Sequence, residues 1–279
     1  MKPIRRATLL AVFAHPDDEL FHAGMLAHSS DRGVRVVLLS ATRGEAGKVH
    51  PAAGRVDDLP AVRAEELRLS CTRLGIEEPM FLDFHDSGRG ARLRRDDRRA
   101  LVNVDMLEVE AAIRQVIRDV KPHVIVTHDP HGGYYHPDHV VIHRATTAAF
   151  YSSAALGPAP ERLFYTALES EAYRHLAAAT RGRGMADGLD PDVFSMASET
   201  IALTFDATPY MKRKLAALAA HRSQFGLTLD ALDNPSGEVA MMMSAFRPVV
   251  EREAFLVGGL CGPLPSWPVH DLFEGIIGD

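Results

Sequence analysis

The sequence predicts an α/β protein in which a Rossmann-like, mostly parallel sheet is covered by helices. Continuous apolar runs of strand length recur along the chain, and segments with helical periodicity lie between them. Strands that are apolar on both faces are typical of parallel sheets enclosed by helices. Of the 279 residues, 46% are hydrophobic and 24% charged, which is enough for one domain with a full core.

Six apolar runs are predicted to form the strands: Leu9–Ala14, Val34–Ser40, Pro79–Phe84, His123–His128, Arg162–Leu168 and Thr200–Phe205. The first run follows Lys2, Arg5 and Arg6 and loosely imitates a signal peptide. It is short, however, and ends directly on ionisable residues, which favours a first strand.

Three segments are predicted to be helical because their apolar residues return every three or four positions. These positions are Ala64, Leu67, Cys71 and Leu74, then Val109, Ile113, Val116, Ile117 and Val120, and finally Met211, Leu215, Leu218 and Ala219. Gly75 and Pro122 predict the ends of the first two helices. We expect a single domain over residues 1–279, with 263–279 as an irregular C-terminal cover packed by Trp267 and Phe273.

Composition restricts the partners. The formal net charge of −6 argues against nucleic acid, and no apolar run approaches the length of a membrane span. The two cysteines, Cys71 and Cys261, are too few for a disulfide framework, which favours the cytoplasm. We therefore expect a cytoplasmic protein that binds a small molecule; the sequence leaves open whether it forms a homo-oligomer.

A first cluster of ionisable residues, His15-Pro16-Asp17-Asp18-Glu19, follows the first predicted strand. Ligands of open parallel sheets bind at the carboxyl ends of strands. A nucleotide site would need a glycine-rich turn here, whereas three carboxylates repel phosphate and attract a cation. Capping of a helix explains one or two of the acids but not the whole cluster.

A second cluster follows the fourth predicted strand and contains five of the fourteen histidines: His128, His131, His136, His139 and His143. Pro137-Asp138 predicts a helix start, so that His139 and His143 share one helix face. Two histidines and one carboxylate form a catalytic zinc site with open positions. A spare carboxylate can accept a proton from the water that the metal activates, and a spare histidine can stabilise an oxyanion. From these residues alone, either Asp17 or Asp18 could be the metal ligand.

The two motifs together, H-P-D-D-E at 15–19 and H-P-D-H at 136–139, resemble the LmbE-like or PIG-L family of zinc-dependent N-acetylglucosaminyl deacetylases, which includes the deacetylases of mycothiol and bacillithiol synthesis. The resemblance spans roughly residues 7 to 225. It includes Gly44-Glu45-Ala46-Gly47, Arg63 in Arg-Ala-Glu-Glu-Leu, Asp86-Ser87-Gly88, Lys214 and His221-Arg222-Ser223-Gln224. It implies zinc-dependent hydrolysis of the N-acetyl amide of an N-acetylglucosamine-type sugar or glycoside.

The resemblance also implies a role for each site residue. One zinc ion per chain would be held by His15, Asp18 and His139. Asp17 would be the general base, His136 would stabilise the oxyanion, and Tyr134 would help to polarise the amide carbonyl. Arg63 and Asp86 would hold the sugar.

Several alternatives stay open. His143 is a helix-spaced rival to His139 as a ligand, and His128 and His131 are expected to support the site. Two histidines and a carboxylate also occur in non-haem iron oxygenases, and a non-catalytic metal-binding or ligand-binding domain could keep the same residues. Within the family, the amide could carry a larger N-acyl group or belong to a thiol conjugate.

Two loops are expected to shape that choice of substrate. Gly88–Arg99 carries six arginines and is predicted to be either a solvated loop or a lid over an anionic substrate. Gly182–Asp192 is predicted to be a second loop.

Overall fold

A computed structural model describes residues 7–153, 159–180 and 190–276. Its centre is a seven-stranded sheet in the order β3-β2-β1-β4-β5-β7-β6. The strands are β1 (Thr8–Phe13), β2 (Arg35–Thr42), β3 (Met80–Phe84), β4 (Val124–Thr127), β5 (Arg162–Ala167), β6 (Leu203–Asp206) and β7 (Arg252–Leu260). Strand β7 pairs antiparallel with both β5 and β6, and the other pairs are parallel. The sheet is therefore mostly parallel, as predicted.

The helices accompany this sheet as α1 (Ala23–Asp31), α2 (Leu59–Leu74), α3 (Met106–Val120), α4 (Gly132–Tyr135), α5 (Pro137–Ser153), α6 (Ser170–Thr180), α7 (Pro191–Phe194), α8 (Met211–Ala220), α9 (Arg222–Phe225), α10 (Leu229–Asp233) and α11 (Gly237–Val250). Two large apolar clusters form the core. Alternate residues of β1 contribute to one or the other, because successive side chains of a strand point to opposite faces.

The six predicted strands correspond to β1 to β6. All six residues of β1 are buried, and the strand pairs with β2 on one side and β4 on the other. The first apolar run is thus a central strand of the sheet.

The sequence-based prediction missed strand β7. Its Gly258 and Gly259 weaken the strand signal because glycine has little strand propensity. The structure gives their reason: a Cβ on Gly258 would lie 2.5 Å from Cζ of Tyr165, and one on Gly259 would lie 2.5 Å from Cε1 of Phe150. The two glycines make room for these aromatic rings.

The three predicted helices are confirmed as α2, α3 and α8. Helix α2 ends at Leu74 and is followed by Gly75, whose left-handed φ of 74° suits a glycine C-cap. Helix α3 ends at Val120, and its C-cap Lys121 directly precedes Pro122. The prediction did not include the longer helices α6 and α11 or the short helices α4, α7, α9 and α10.

The C-terminal segment is packed differently from expectation at one residue. Val269, Leu272 and Phe273 are buried in the core, but Trp267 is 57% exposed and does not hold the segment down. Residues 182–189 of the second predicted loop lie outside the described residues, and its last two residues, Pro191 and Asp192, belong to α7. Cys71 and Cys261 are both free thiols, and the cytoplasmic location inferred from them stays a prediction. Among the described helices, none combines the length and apolarity needed to cross a membrane.

Candidate active site

The two clusters meet at the carboxyl ends of β1 and β4, which are neighbours in the sheet. His15 follows β1, and His128 follows β4 directly. Helix α5 begins at Pro137, as predicted, and its first turn brings Asp138 and His139 against His15. Residues about 120 positions apart in the chain thereby form one buried group.

The three predicted metal ligands converge. Nδ1 of His15 lies 3.1 Å from Nε2 of His139 and 3.5 Å from Oδ2 of Asp18, and Oδ1 of Asp18 lies 3.2 Å from Nε2 of His139. Donors that bind a tetrahedral zinc ion at about 2.0–2.1 Å lie about 3.3 Å from one another. These donor types are those that zinc binds. The described side chains close enough to share one ion form three groups: His15, His136 and His139; Asp18, His128 and His139; and His15, Asp86, His136 and Asp138. His15 and Asp18 thus each belong to a group with His139.

Asp18 is fixed as an acceptor. Its Oδ2 accepts the backbone N–H groups of Ala14 at 3.1 Å and His15 at 2.8 Å. Burial raises the pKa of Asp18, but His139, His128 and His15 outweigh it and hold the pKa well below its usual range. Asp18 is therefore a carboxylate at neutral pH.

His15 is oriented through its other ring nitrogen. Nε2 of His15 lies 3.0 Å from Oδ2 of Asp138, which also accepts the backbone N–H of Ser87 at 2.9 Å. A carboxylate behind a ligating histidine fixes its tautomer and its orientation. Asp138 was predicted only to mark a helix start, although its place between His136 and His139 could have indicated a role in the site.

The surroundings of His15 favour positive charge. Burial lowers its pKa, but the carboxylates of Asp86, Asp138 and Asp18 raise it well above the usual value overall. A field that favours a proton on the ring also favours a bound cation.

His139 is oriented by the turn before α5. Its Nδ1 donates to the carbonyl oxygen of Gly132 at 3.1 Å, which leaves the lone pair of Nε2 directed at Asp18 and His15. Gly132 has a φ of +62°, and a Cβ there would lie 2.6 Å from Cβ of His139. Only glycine fits this turn against this histidine.

Asp17 belongs to none of the described groups of side chains that could share a metal ion and is paired with Arg63 instead. Its Oδ2 lies 3.0 Å from Nη2 of Arg63, and its backbone has a left-handed φ of 105°. It makes no side-chain cap of the 3-10 turn Asp18–His22, so capping does not explain it. Burial raises its pKa to about 6, against the opposing effect of Arg63. A carboxyl group with this pKa suits a general base near neutral pH.

His136 and Tyr134 lie beside the ligand group. Nδ1 of His136 accepts the backbone N–H of Asp138 at 3.3 Å, which leaves the ring hydrogen on Nε2. Burial lowers the pKa of His136 to about 2, and positive charge on His15 adds to the effect, so the ring is a neutral donor. The Tyr134 ring lies 5.1 Å from that of His139, and burial raises the pKa of its hydroxyl, which therefore stays protonated.

Of the remaining histidines of the second cluster, His128 lies close enough to Asp18 and His139 to share a metal ion with them. Nε2 of His128 accepts the N–H of Ala14 at 3.1 Å, and its ring stacks on His139 with 4.0 Å between centroids. His143, the rival ligand, donates from Nδ1 to the carbonyl oxygen of His128 at 2.9 Å. Within the described residues, no group of side chains close enough to share a metal ion includes His131 or His143.

Arg63 and Asp86 hold the loops around the site. Arg63 is buried and donates to the carbonyl oxygens of Gly44, at 2.8 Å, and Pro16. Asp86 accepts the N–H groups of Ala46 at 3.2 Å and Gly88 at 2.8 Å. Their role in holding a sugar stays a prediction.

The arginine-rich segment divides into two parts. Arg92, Arg94, Arg95, Arg98 and Arg99 are exposed, as expected of a solvated loop. Arg89 is half-buried, and its guanidinium carbon lies 5.0 Å from the centroid of the Tyr134 ring. Only this arginine of the six reaches a predicted catalytic side chain among the described contacts.

An apolar pocket borders the ligand group. Asp18, Tyr134 and His139 line it together with apolar and aromatic side chains that include Phe13, Phe21, Ala167, Leu168 and Tyr173. A pocket of this composition beside the candidate metal ligands can receive an apolar part of a bound molecule.

Comparison with known proteins identifies relatives over the whole chain. The family described as "PIG-L: GlcNAc-PI de-N-acetylase" matches residues 10–150. A 1D-myo-inositol 2-acetamido-2-deoxy-alpha-D-glucopyranoside deacetylase from Nocardia farcinica is 35% identical over 97% of both chains. The protein of the same name from Rhodococcus opacus is 36% identical over 96% of this chain and 98% of its own.

Solved structures share the fold at lower sequence identity. The N,N'-diacetylchitobiose deacetylase from Pyrococcus horikoshii has a TM-score of 0.54 at 21% identity and covers 90% of this chain and 83% of its own. GalB, a 4-carboxy-2-hydroxymuconate hydratase from Pseudomonas putida, has a TM-score of 0.57 at 15% identity, with 93% and 98% covered. Because a deacetylase and a hydratase both match, the fold by itself does not select the reaction.

Proposed function

Because the chain belongs to the PIG-L family of de-N-acetylases, and is thus a hydrolase of amide bonds, we propose that it deacetylates an N-acetylglucosamine glycoside with the help of one zinc ion. The observation that carries the proposal is the convergence of His15, Asp18 and His139 beside an unliganded acid, Asp17. Family membership also weighs against the oxygenase and the non-catalytic alternatives.

His15, Asp18 and His139 would hold the zinc ion, since three donors of this type leave a position open for substrate. When bound, zinc supplies Lewis-acid activation of water and of the amide carbonyl. The pKa of Asp17, raised by burial to about 6, leaves this carboxyl group ionised at neutral pH. Asp17 therefore accepts the proton of the attacking water and can return it to the leaving amine.

His136 and Tyr134 would act on the carbonyl oxygen. The Nε2–H of His136 and the hydroxyl group of Tyr134 are both donors at neutral pH, and both rings lie against His139. Donors held in place before the reaction stabilise the negative charge that develops on the oxygen of the tetrahedral intermediate. Arg63 and Asp86 would lie on the sugar side of the amide.

The experiment incubates zinc-loaded protein with the inositol and malate glycosides of N-acetylglucosamine, free N-acetylglucosamine and N,N'-diacetylchitobiose, and measures the free amine released. We take the inositol glycoside as the first candidate because relatives covering the whole chain are named for it. Asp17→Asn should keep zinc and lose about 10²–10⁴-fold in turnover. Asp57→Asn, at an exposed position, is the matched control. Absence of amine release from all four compounds would reject the proposal.

The apolar pocket favours a second candidate, hydrolysis of a larger N-acyl group. Phe13, Phe21 and Leu168 line space beside Asp18 and His139 into which an acyl chain could extend. Leu168→Trp should then reduce turnover of N-butyrylglucosamine more than turnover of N-acetylglucosamine. Leu107→Trp, at a side chain that is 72% exposed, is the control. Equal loss on both substrates would reject the larger acyl group.

A further inference from the structure

We propose that Glu19 and His221 are positioning residues that hold the general base Asp17 in place; the inference rests on the proposed function of Asp17. Oε2 of Glu19 accepts the backbone N–H of Asp17 at 3.0 Å. Oε1 of Glu19 accepts from Nε2 of His221 at 2.7 Å and from the Ser70 hydroxyl at 2.6 Å. The H-P-D-D-E motif by itself assigns no role to the contact between Glu19 and His221.

Asp17 needs such a restraint. Its φ of 105° lies in the left-handed region, which a residue with a Cβ adopts only when its surroundings impose it. Arg63 holds the side chain of Asp17 and the carbonyl oxygen of Pro16, and Glu19 holds the intervening backbone N–H. The peptide on the amino side of the base is therefore bound on both of its polar groups.

Burial argues that Glu19 does more than cap a turn. Glu19, Ser70 and His221 are all completely buried. Burying a carboxylate destabilises the fold unless the carboxylate is paired and hydrogen-bonded. An exposed polar side chain could satisfy a single N–H group with a smaller loss of stability. Either protonation state of His221 can donate its Nε2–H, and the contact does not depend on its titration.

One face of helix α2 contacts Asp17, Glu19 and the turn that carries His221. Arg63, Glu66 and Ser70 follow the helical spacing that places side chains on the same side. Arg63 reaches Asp17 and Ser70 reaches Glu19. Glu66 accepts the N–H of Ser223 at 2.6 Å and its hydroxyl at 2.7 Å, which fixes the turn that carries His221. A residue of the C-terminal half thereby restrains the base near the N-terminus.

The test compares three variants at equal zinc content. His221→Leu removes the donor to Glu19 and should lower kcat about 10–100-fold, the range for lost support behind a site residue, with KM little changed. His221→Gln places an amide N–H near the position of Nε2 and should retain most of the wild-type kcat. Ser70→Ala, which removes one of the two donors to Oε1, should give a smaller loss than His221→Leu.

Arg162→Met is the matched control for the loss of a buried polar group. Arg162 is buried at the start of β5 and donates to the carbonyl oxygen of Leu272 at 3.0 Å, at the opposite end of the strand from the site. The Arg162→Met variant should lower Tm without lowering kcat. A merely structural role of His221 predicts the same pattern for His221→Leu, and no recovery with His221→Gln.

Crystal structures of the wild type and of His221→Leu provide a readout that does not need activity. The positioning role predicts that the φ of Asp17 leaves the left-handed region in the variant. An unchanged Asp17 backbone, or a kcat equal to that of the wild type, would overturn the inference. Failure of the wild type to release amine would instead reject the proposed function, and the crystal structures would still decide the positioning role.

Discussion

Adjacent aspartates in the H-P-D-D-E motif have opposite environments. Histidines surround Asp18 and hold its pKa well below the usual range, although burial acts against them. Burial raises the pKa of Asp17 to about 6, and Arg63 only partly opposes it. Titratable neighbours whose pKa values are driven apart are typical of a ligand and a base in the same active site.

The pH dependence of activity follows from Asp17. A base works only when deprotonated, so activity is present above its pKa and is lost as the pH falls through it. A bound cation lowers the pKa further, and we expect the acid limb of kcat/KM at or below pH 6. Arg63→Gln removes a charge that lowers this pKa and should move the limb to higher pH, whereas Arg68→Gln, on an exposed position of the same helix, should not. A limb that stays in place would contradict the assignment of the base.

Zinc binding should depend on the three convergent ligands. We expect His15→Ala and Asp18→Ala to lose the metal after dialysis, because an open three-ligand site tolerates no missing donor. Asp138→Asn should weaken binding about 10–100-fold by releasing His15 from its support. His143→Ala is the control and should keep about one zinc per chain, measured by mass spectrometry of the metal. Loss of zinc in His143→Ala alone would make His143 the ligand in place of His139.

At the scale of elements, the turn between β4 and α5 determines the direction of His139. Gly132 accepts the Nδ1–H of His139 on its carbonyl oxygen and has no room for a side chain. The helix start at Pro137 then places Asp138 and His139 on the two sides of His15. The turn at Gly132 thus orients the candidate ligand His139, and the helix start at Pro137 places Asp138, which supports the candidate ligand His15.

Gly132→Ala should therefore damage both stability and metal binding. The left-handed backbone alone costs about 1–2 kcal/mol for alanine. In addition, the new Cβ would lie 2.6 Å from Cβ of His139 and push this ring from its position. Gly33→Ala has a similar φ of +81° with nothing within 4 Å, and should lose stability but keep zinc affinity. Chemical denaturation and zinc titration measure the two effects, and unaltered zinc affinity in Gly132→Ala would contradict the steric argument.

At the scale of the whole molecule, a buried ion pair joins distant elements. Lys214 of α8 contacts Glu253 of β7, and both side chains are almost completely buried. Glu253 also accepts the N–H groups of Gly24 and Met25 at 2.8 Å each, at the start of α1. Lys214, which matched the family pattern, thus joins α8 to β7 and also donates to the carbonyl oxygen of Phe21 at 3.2 Å.

Lys214→Met should lower the free energy of unfolding by about 3–5 kcal/mol, because it leaves Glu253 as a buried charge without its partner. Lys212→Met, on an exposed position of the same helix, should change it by no more than about 0.5 kcal/mol. Urea denaturation of the purified variants measures both values. Equal stability of the two variants would show that the pair contributes nothing.

The sequence by itself determined the α/β fold and the edge of the sheet where the site lies. Apolar runs and helical periodicity are local properties, and Gly75 and Pro122 signal helix ends within a few residues of the chain. The motifs around His15 and His139 likewise predicted a metal site from the sequence, because donor types follow directly from residue identity. Strand β7 was missed because Gly258 and Gly259 weaken its strand signal. These glycines are needed to leave room for the rings of Tyr165 and Phe150, which only the folded structure places against them.

Only the tertiary structure shows how the environments of the two aspartates differ and which side chains contact them. The sequence places Asp17 and Asp18 next to each other, and their separation depends on Arg63 and His139, which other elements bring to them. The contact between Glu19 and His221 joins residues 202 positions apart, and no local pattern encodes such a distance. Donor types follow from residue identity, but orientation, burial and pKa depend on the neighbours that folding brings together.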